Sequence, residues 1–187
     1  EKTMRSLEEE KMQLEEANKK LQASSYQDYL TGLYNYYYFH EILETEYLKA
    51  TRHASPLSRI MMDVDNFKNI NDTLGHPVGD LVLQEMGNRI RETLRRSDIA
   101  CRYGGEEFVI LLPHTNYEGG LDVAKRVKER ICGQVYQNGG TPCHITVTLG
   151  ASSLEEPEVR EAEHLVRLAD EALLDGKSRG KDCIVLA

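Results

Sequence analysis

From residue 36 onward the apolar positions follow two periods that take turns along the chain. In "YYYFHEILETEYLKATRH", Phe39, Ile42, Leu43 and Tyr47 fall at helical spacing, whereas "LSRIMMDVD" (57–65) is a short apolar run that predicts a buried strand. "NDTLGHPVGDLVLQEMGNRIRETLRRSD" predicts a loop closed by Gly75 and Pro77, then a helix with Leu81, Val82, Met86, Ile90 and Leu94 on one face. Residues 100–112 predict two strands joined by a two-residue hairpin turn at Gly104-Gly105. A helix follows through Leu121, Ala124, Val127 and Ile131, then an alternating strand in "CHITVTLGASS" (143–153). An amphipathic helix in "EVREAEHLVRLADEALLDGK" and a short strand in "DCIVLA" close the series. Helix, strand, helix, two strands, helix, strand is the split βαβ or ferredoxin-like order. It predicts an α+β fold, one mainly antiparallel sheet with helices packed on it.

The first 24 residues follow a third pattern, with Leu7, Leu14 and Leu21 seven apart as a d series and Met4, Lys11 and Asn18 at a. An Asn at a favours a two-stranded parallel register, so residues 1–27 are expected to form a dimerising coiled coil, with the globular domain at 28–187. Glu10 would face Glu15 of a partner and Asp28 breaks the next d, which leaves a solvated linker helix as the alternative. Because Glu1 opens in the middle of this helical pattern, the chain is expected to be a piece of something longer.

Composition narrows the function classes. With 23 Lys and Arg against 31 Asp and Glu, a net charge of −8 argues against wrapping DNA or RNA, though not against a local basic pocket for a nucleotide. The longest apolar run, Phe108 to Leu112, is far short of the roughly 20 residues of a membrane span. Cys101, Cys132, Cys143 and Cys183 show no metal-like spacing and suit reduced thiols in a cytoplasmic protein. His76 and the other histidines read as loop or surface residues.

Against this background "CRYGGEEFVILLP" (101–113) is unusual, because adjacent acids open an apolar strand. Alternation puts Glu106 with Phe108 and Ile110 on one face and Glu107 with Val109 and Leu111 on the other. The strand at 57–65 brings Asp63 and Asp65 to one face. If the two strands are neighbours, Asp63 and Glu106 converge. Like charges so placed repel unless a cation lies between them, and hard oxygen ligands suit Mg²⁺ completed by phosphate oxygens. Gly104 and Gly105 leave room for a ligand to come close. The bland alternative for these residues alone is a hairpin tip with solvated charges.

These residues resemble the GGDEF-family diguanylate cyclases, whose signature stands here as the variant "RYGGEEF" (102–108). Four further segments match at the family's spacing: "DYLTGLYN" (28–35), "MMDVDNFKNINDTLGHPVGD" (61–80), "TVTLGAS" (146–152) and "LADEALLDGKSRGKD" (168–182). The resemblance implies a nucleotidyl cyclase palm that condenses two GTP into cyclic di-GMP with release of two pyrophosphates. Asp63 and Glu106 would be Mg²⁺ ligands, with Mn²⁺ as a substitute, and the Val64 carbonyl would assist. Glu107 would be the second acid, near the attacking 3′-hydroxyl. Asp65 has no matched role and is expected to be structural. Asn71 and Asp80 would read the guanine, with a helix cap as the alternative for Asp80. Lys68, Lys177 and Lys181 would touch the triphosphate, with plain helix C-terminal cations as the alternative for the last two.

One chain would hold one GTP, so the resemblance implies a homodimer with facing sites, gathered by the coiled coil and governed by an upstream sensory or receiver domain outside this chain. "RRSD" (95–98) matches the family's RxxD product-inhibition site through Arg95 and Asp98, with Arg126 as a secondary contact and a surface ion pair as the alternative. Two positions depart from the family pattern: Tyr36 and Tyr37 stand where Arg-Arg is usual, and Leu173 or Leu174 replaces a late aromatic, with Asp175 added. A silent cyclic di-GMP receptor is the runner-up, and a coiled-coil interaction module is a third reading.

Overall fold

Eight consecutive buried residues form β1 (Leu57–Val64), the middle strand of a five-stranded sheet. This computed structural model describes residues 11–12, 26–136 and 142–187. Before β1 comes α1 (Tyr36–His53), and after it α2 (Phe67–Leu74), α3 (His76–Thr93), β2 (Ile99–Gly104) and β3 (Glu107–Pro113). The chain continues through α4 (Tyr117–Cys132), β4 (Val147–Ser153), α5 (Ala162–Ser178) and β5 (Ile184–Leu186). Strand order is β2-β3-β1-β4-β5; every neighbouring pair is antiparallel except β4 with β5. The expected split βαβ unit is therefore present, with α1, α5 and β5 added to it.

Period-two alternation sorts the core into two layers. Ile60, Met62 and Val64 of β1, with Phe108, Ile110 and Leu112 of β3, face α3 (Val82, Met86, Ile90) and α4 (Val123, Val127, Ile131). Leu57, Met61, Val109 and Leu111 face α1 (Phe39, Leu43) and α5 (Leu165, Ala169, Leu173). Each such side chain taken fully from water contributes about 1.5–3 kcal/mol. Arg59 and Asp63 share the parity of Met61, so both lie on the α1/α5 side. The side-chain oxygen of Asn35 caps α1 by accepting from the Tyr38 amide, and Asn116 caps α4 through the Gly119 amide.

Several sequence expectations are corrected. The stretch after Asn66 is not all loop: Phe67, Ile70 and Leu74 turn inward on the short α2, and Gly75 with positive φ breaks it from α3. On α3, Leu83 rather than Leu81 joins the buried face. The hairpin turn is Gly105-Glu106, not Gly104-Gly105, because β2 shifts register between Arg102 and Gly104 and pairs Gly104 with Glu107. Only Gly105 of those two turn residues needs positive φ. β4 begins at Val147 rather than Cys143, which instead bridges Tyr136.

The expected coiled coil lies outside the described residues, apart from Lys11, Met12, Tyr26 and Gln27. Among the described residues no helix is long and apolar enough to cross a membrane. The four cysteines are free thiols, and burial pushes Cys101 up to about 12.

The loop after β4 gives a pH-dependent prediction. Glu156 accepts from the Ser153 amide at 2.6 Å through Oε2, while its buried Oε1 has no partner. Burial, helped by Glu158 and Glu155, outweighs that amide and raises the carboxyl from 4.5 to about 7. Between those values the folded chain holds a proton that the unfolded chain has released, so stability falls as pH rises through the window. Glu156→Gln should melt with the wild type at pH 4 and, allowing for partial exposure, about 2 °C above it at pH 8. Equal melting at pH 8 contradicts the assignment.

Candidate active site

The C-terminal end of β1 brings the predicted acids together. Asp63 is the register partner of Glu107 across β1 and β3, and the Val64 amide donates to the Glu106 carbonyl at 3.3 Å. β1 and β3 are thus neighbours, as expected, but Glu106 sits in the turn while Glu107 is the cross-strand neighbour of Asp63. Lys177, in the last turn of α5, places its ammonium 2.7 Å from Asp63 Oδ2. Lys181 donates to Asn66 Oδ1 at 2.6 Å. Two of the three lysines expected at the triphosphate therefore converge on residues 63–66.

Burial raises the Asp63 carboxyl; the Lys177 ammonium opposes the shift, and the charges of Glu106 and Asp65 add to it. Glu107 is also raised, by burial first and then by Asp63, with Glu106 and Asp170 contributing. Such a group of acids gains from a bound cation. Asp65 is differently employed. It accepts from the Thr146 and Thr148 hydroxyls at 2.7 and 2.6 Å and from the Asp182 amide at 3.0 Å, tying β1 to β4 and to the turn before β5.

Among the described residues no three His, Cys, Asp or Glu side chains close into a metal cage. The donor set nevertheless fits Mg²⁺, which is commonly held by one or two carboxylates and completed by substrate phosphates and water. Asp63 and Glu106 would supply the carboxylates, and the Val64 carbonyl lies at the same strand end.

An uncapped helix start that sequence reading missed lies beside them. Asn66 adopts a left-handed conformation at the start of α2, and its side chain makes no cap bond there, being engaged by Lys181 instead. The first amides of a helix, left without side-chain acceptors, favour an anion. Lys68 is exposed on that first turn. Farther along, Asn71 lies half-buried against Gly79, where a methyl group would collide with its side-chain oxygen. Asp80 follows, exposed. The N-cap of α3 is Gly75 and its first turn holds no acid, so the cap reading of Asp80 is not supported.

The hairpin tip is held from behind. Arg102 donates through Nε to the Gly105 carbonyl at 2.9 Å and pairs with Asp28 at 3.3 Å, while Asp28 also accepts from the Thr31 amide and hydroxyl. Gly104 and Gly105 have open space where a side chain would stand. They border a cavity of about 490 Å³ lined in part by Tyr29, Tyr36, Tyr37 and Tyr103. The two tyrosines that replace the usual arginines thus join an aromatic wall beside the turn, with Tyr36 edge-on to Tyr103 at 5.0 Å.

On the far side of β2 a second cavity, about 320 Å³, is lined by Arg91, Arg95, Arg96 and Asp98 together with Leu33 and Tyr34. Arg91 was missed, because it belongs to the last turn of α3 while Arg95 lies beyond the extended Leu94 that ends the helix, so no single helical period links the two. Asp98 Oδ2 accepts from the Arg95 amide at 2.9 Å, which fixes the turn that presents the arginines. Arg126 is not part of this cavity; it lines a separate one with Thr93, Glu129 and Arg130.

Comparison with known proteins agrees with this fold. The family model described as "Diguanylate cyclase, GGDEF domain" matches residues 25–183. The response regulator PleD of Caulobacter vibrioides is 37% identical over 161 residues, which is 84% of this chain and 35% of PleD, so the chain spans about a third of that relative. The diguanylate cyclase SiaD of Pseudomonas aeruginosa, solved in complex with its activator SiaC, superposes with a TM-score of 0.82 at 34% identity, covering 100% of this chain and 71% of that one. The active GGEEF domain of a diguanylate cyclase from Vibrio cholerae superposes with a TM-score of 0.75 at 30% identity, covering 81% of this chain and 96% of that one.

Proposed function

This chain belongs to the GGDEF family of diguanylate cyclase domains, and from that premise we propose that it condenses two GTP into cyclic di-GMP with release of two pyrophosphates. The observation that carries the reading is the meeting of Asp63, Glu106, Glu107 and Lys177 at the end of β1. Asp63, Glu106 and the Val64 carbonyl would hold Mg²⁺, which supplies positive charge to the α-phosphate and to the pyrophosphate leaving group. Lys68, Lys177, Lys181 and the first amides of α2 bind the remaining phosphate oxygens, and Gly104 and Gly105 admit the nucleotide close to the backbone. Glu107 would receive the proton of an attacking 3′-hydroxyl. Asn71 and Asp80 read the guanine; a carboxylate accepts from its N1–H and amino group, and adenine has no such donor pair. Mn²⁺ is expected to replace Mg²⁺.

Each chain binds one GTP, so two must face each other, and the homodimer is gathered by a coiled coil in residues 1–27 that also links the domain at 28–187 to an upstream sensory or receiver domain. The cytoplasm, where GTP is found, is the expected location, whether or not a longer parent is membrane-attached. Arg95 and Asp98, joined by Arg91, form an inhibitory product site. With micromolar cyclic di-GMP added, wild-type turnover should fall severalfold while Arg95→Ala continues at its own rate; equal inhibition of both contradicts the site.

Incubation with Mg²⁺ and GTP, with ATP in a parallel reaction, followed by product identification tests the activity. Cyclic di-GMP from GTP alone is the expected result. Unconsumed GTP, from a protein that binds cyclic di-GMP while held as a dimer, favours the silent receptor instead.

A further inference from the structure

We propose that Arg59 is a positioning residue for the nucleotide site: from inside the sheet it fixes helix α5 so that Lys177 stands over Asp63. Arg59 lies in the middle of β1 with its side chain wholly buried. Its Nη1 donates to the Val166 carbonyl at 2.6 Å and to Asp170 Oδ1 at 3.0 Å. The guanidinium also lies 5.4 Å from the centre of the Phe39 ring on α1 and 3.7 Å from Met61 Sδ, and its buried Nε has no partner.

Two ion pairs thus join the same strand to the same helix. Asp170 and Lys177 are seven residues apart on α5, two helical turns and therefore one face, an axial distance of about 10 Å. Arg59 and Asp63 are four residues apart on β1, about 13 Å, and share one face of the sheet. Strand and helix run side by side in the same direction, so the Arg59 pair holds the middle of α5 while the Lys177 pair forms at its end. The first is anchored in the sheet by the wholly buried guanidinium. The second lies where the triphosphate is expected, so the ammonium must be able to leave Asp63 without the helix drifting.

A stability role alone explains Arg59 poorly. Burying a guanidinium is costly, and replacing a buried ion pair with well-packed apolar side chains is often neutral or stabilising. Asp170 is 45% exposed and can be hydrated without its partner, and the neighbours Phe39 and Met61 would receive a methionine well. Gly150 and Gly176 already allow α5 to lie close on β4. What the arginine adds is a directional bond from β1 to the Val166 carbonyl of α5.

The inference rests on the reading of Lys177 as a triphosphate contact. Its test compares wild type, Arg59→Met, Lys177→Ala and the double variant in the full chain, by thermal melting and by calorimetric binding of a non-hydrolysable GTP analogue with Mg²⁺. Arg59→Met should melt at or above the wild type and bind the analogue about tenfold more weakly, since a shift of an ångström in a charged contact is enough for that. In the Lys177→Ala background the same change should weaken binding less than twofold, because the residue it positions is gone. Asp170→Asn, which leaves the sheet packing intact, should repeat the pattern to a smaller degree.

Wild-type affinity in both Arg59→Met and Asp170→Asn, or an undiminished loss in the Lys177→Ala background, would overturn the proposal. Wild-type protein that fails to bind the analogue would overturn the nucleotide-site reading itself, and this inference with it.

Discussion

Asp63→Asn should lower cyclic di-GMP formation about a thousandfold or more, equivalent to about 4 kcal/mol of transition-state stabilisation, without unfolding the protein. Asparagine keeps the shape of the side chain and one oxygen but removes the charge on which a divalent ion depends. Folding should not suffer. The Asp63 carboxyl is raised in the folded chain by burial, with the Glu106 and Asp65 charges adding to it, so its ionised form is already disfavoured there despite Lys177. At neutral pH the variant should therefore melt at or slightly above the wild-type temperature. Turnover within tenfold of wild type would show that the acid is not part of the chemistry.

The largest effect on stability is expected from Gly150→Ala. Gly150 lies in β4 opposite Met61 and directly beneath α5. An added methyl would overlap the Ala169 carbonyl oxygen and the Leu173 amide nitrogen, and would lie 2.8 Å from the Leu173 Cα. All three are helix backbone, so relief requires lifting α5 from the sheet, not turning one side chain. A cost of about 3–5 kcal/mol follows, or a melting temperature lower by about 10 °C. Because Lys177 rides on the same helix, nucleotide affinity should fall as well. A melting temperature within 2–3 °C of wild type would mean that α5 is not packed on β4 in this way.

Much of the scaffold was legible because the chain's periods are distinct. The helical spacing in residues 36–53 matched α1 to its ends, and the short apolar run before Asp63 marked a buried strand. Neighbouring β1 and β3 were an inference from the acids themselves, and their register bears it out. The one-residue error at the hairpin arose because Gly104 and Gly105 are equally good turn residues locally. The bulge between Arg102 and Gly104, set by pairing with β3, decides between them. α2 was missed because eight residues bury only one side, and Asn66 starts it from a left-handed conformation without a capping bond to announce it.

Arg59 stood in plain view as a charge inside an apolar run. Its partner Asp170 is 111 residues away, a separation that no local pattern reveals. The same holds for the link from Asp28 through Arg102 to the Gly105 carbonyl, which connects the segment before α1 to the hairpin turn across 74 residues.

In the proposed reaction Asp63 and Glu106 jointly hold a divalent ion beneath a nucleoside triphosphate. Titration of Mn²⁺ followed by electron paramagnetic resonance, with a non-hydrolysable GTP analogue present, addresses it directly. Tight ion binding by the wild type, weakened about a hundredfold in both Asp63→Asn and Glu106→Gln, is the predicted result. Unchanged Mn²⁺ affinity in either variant would contradict it.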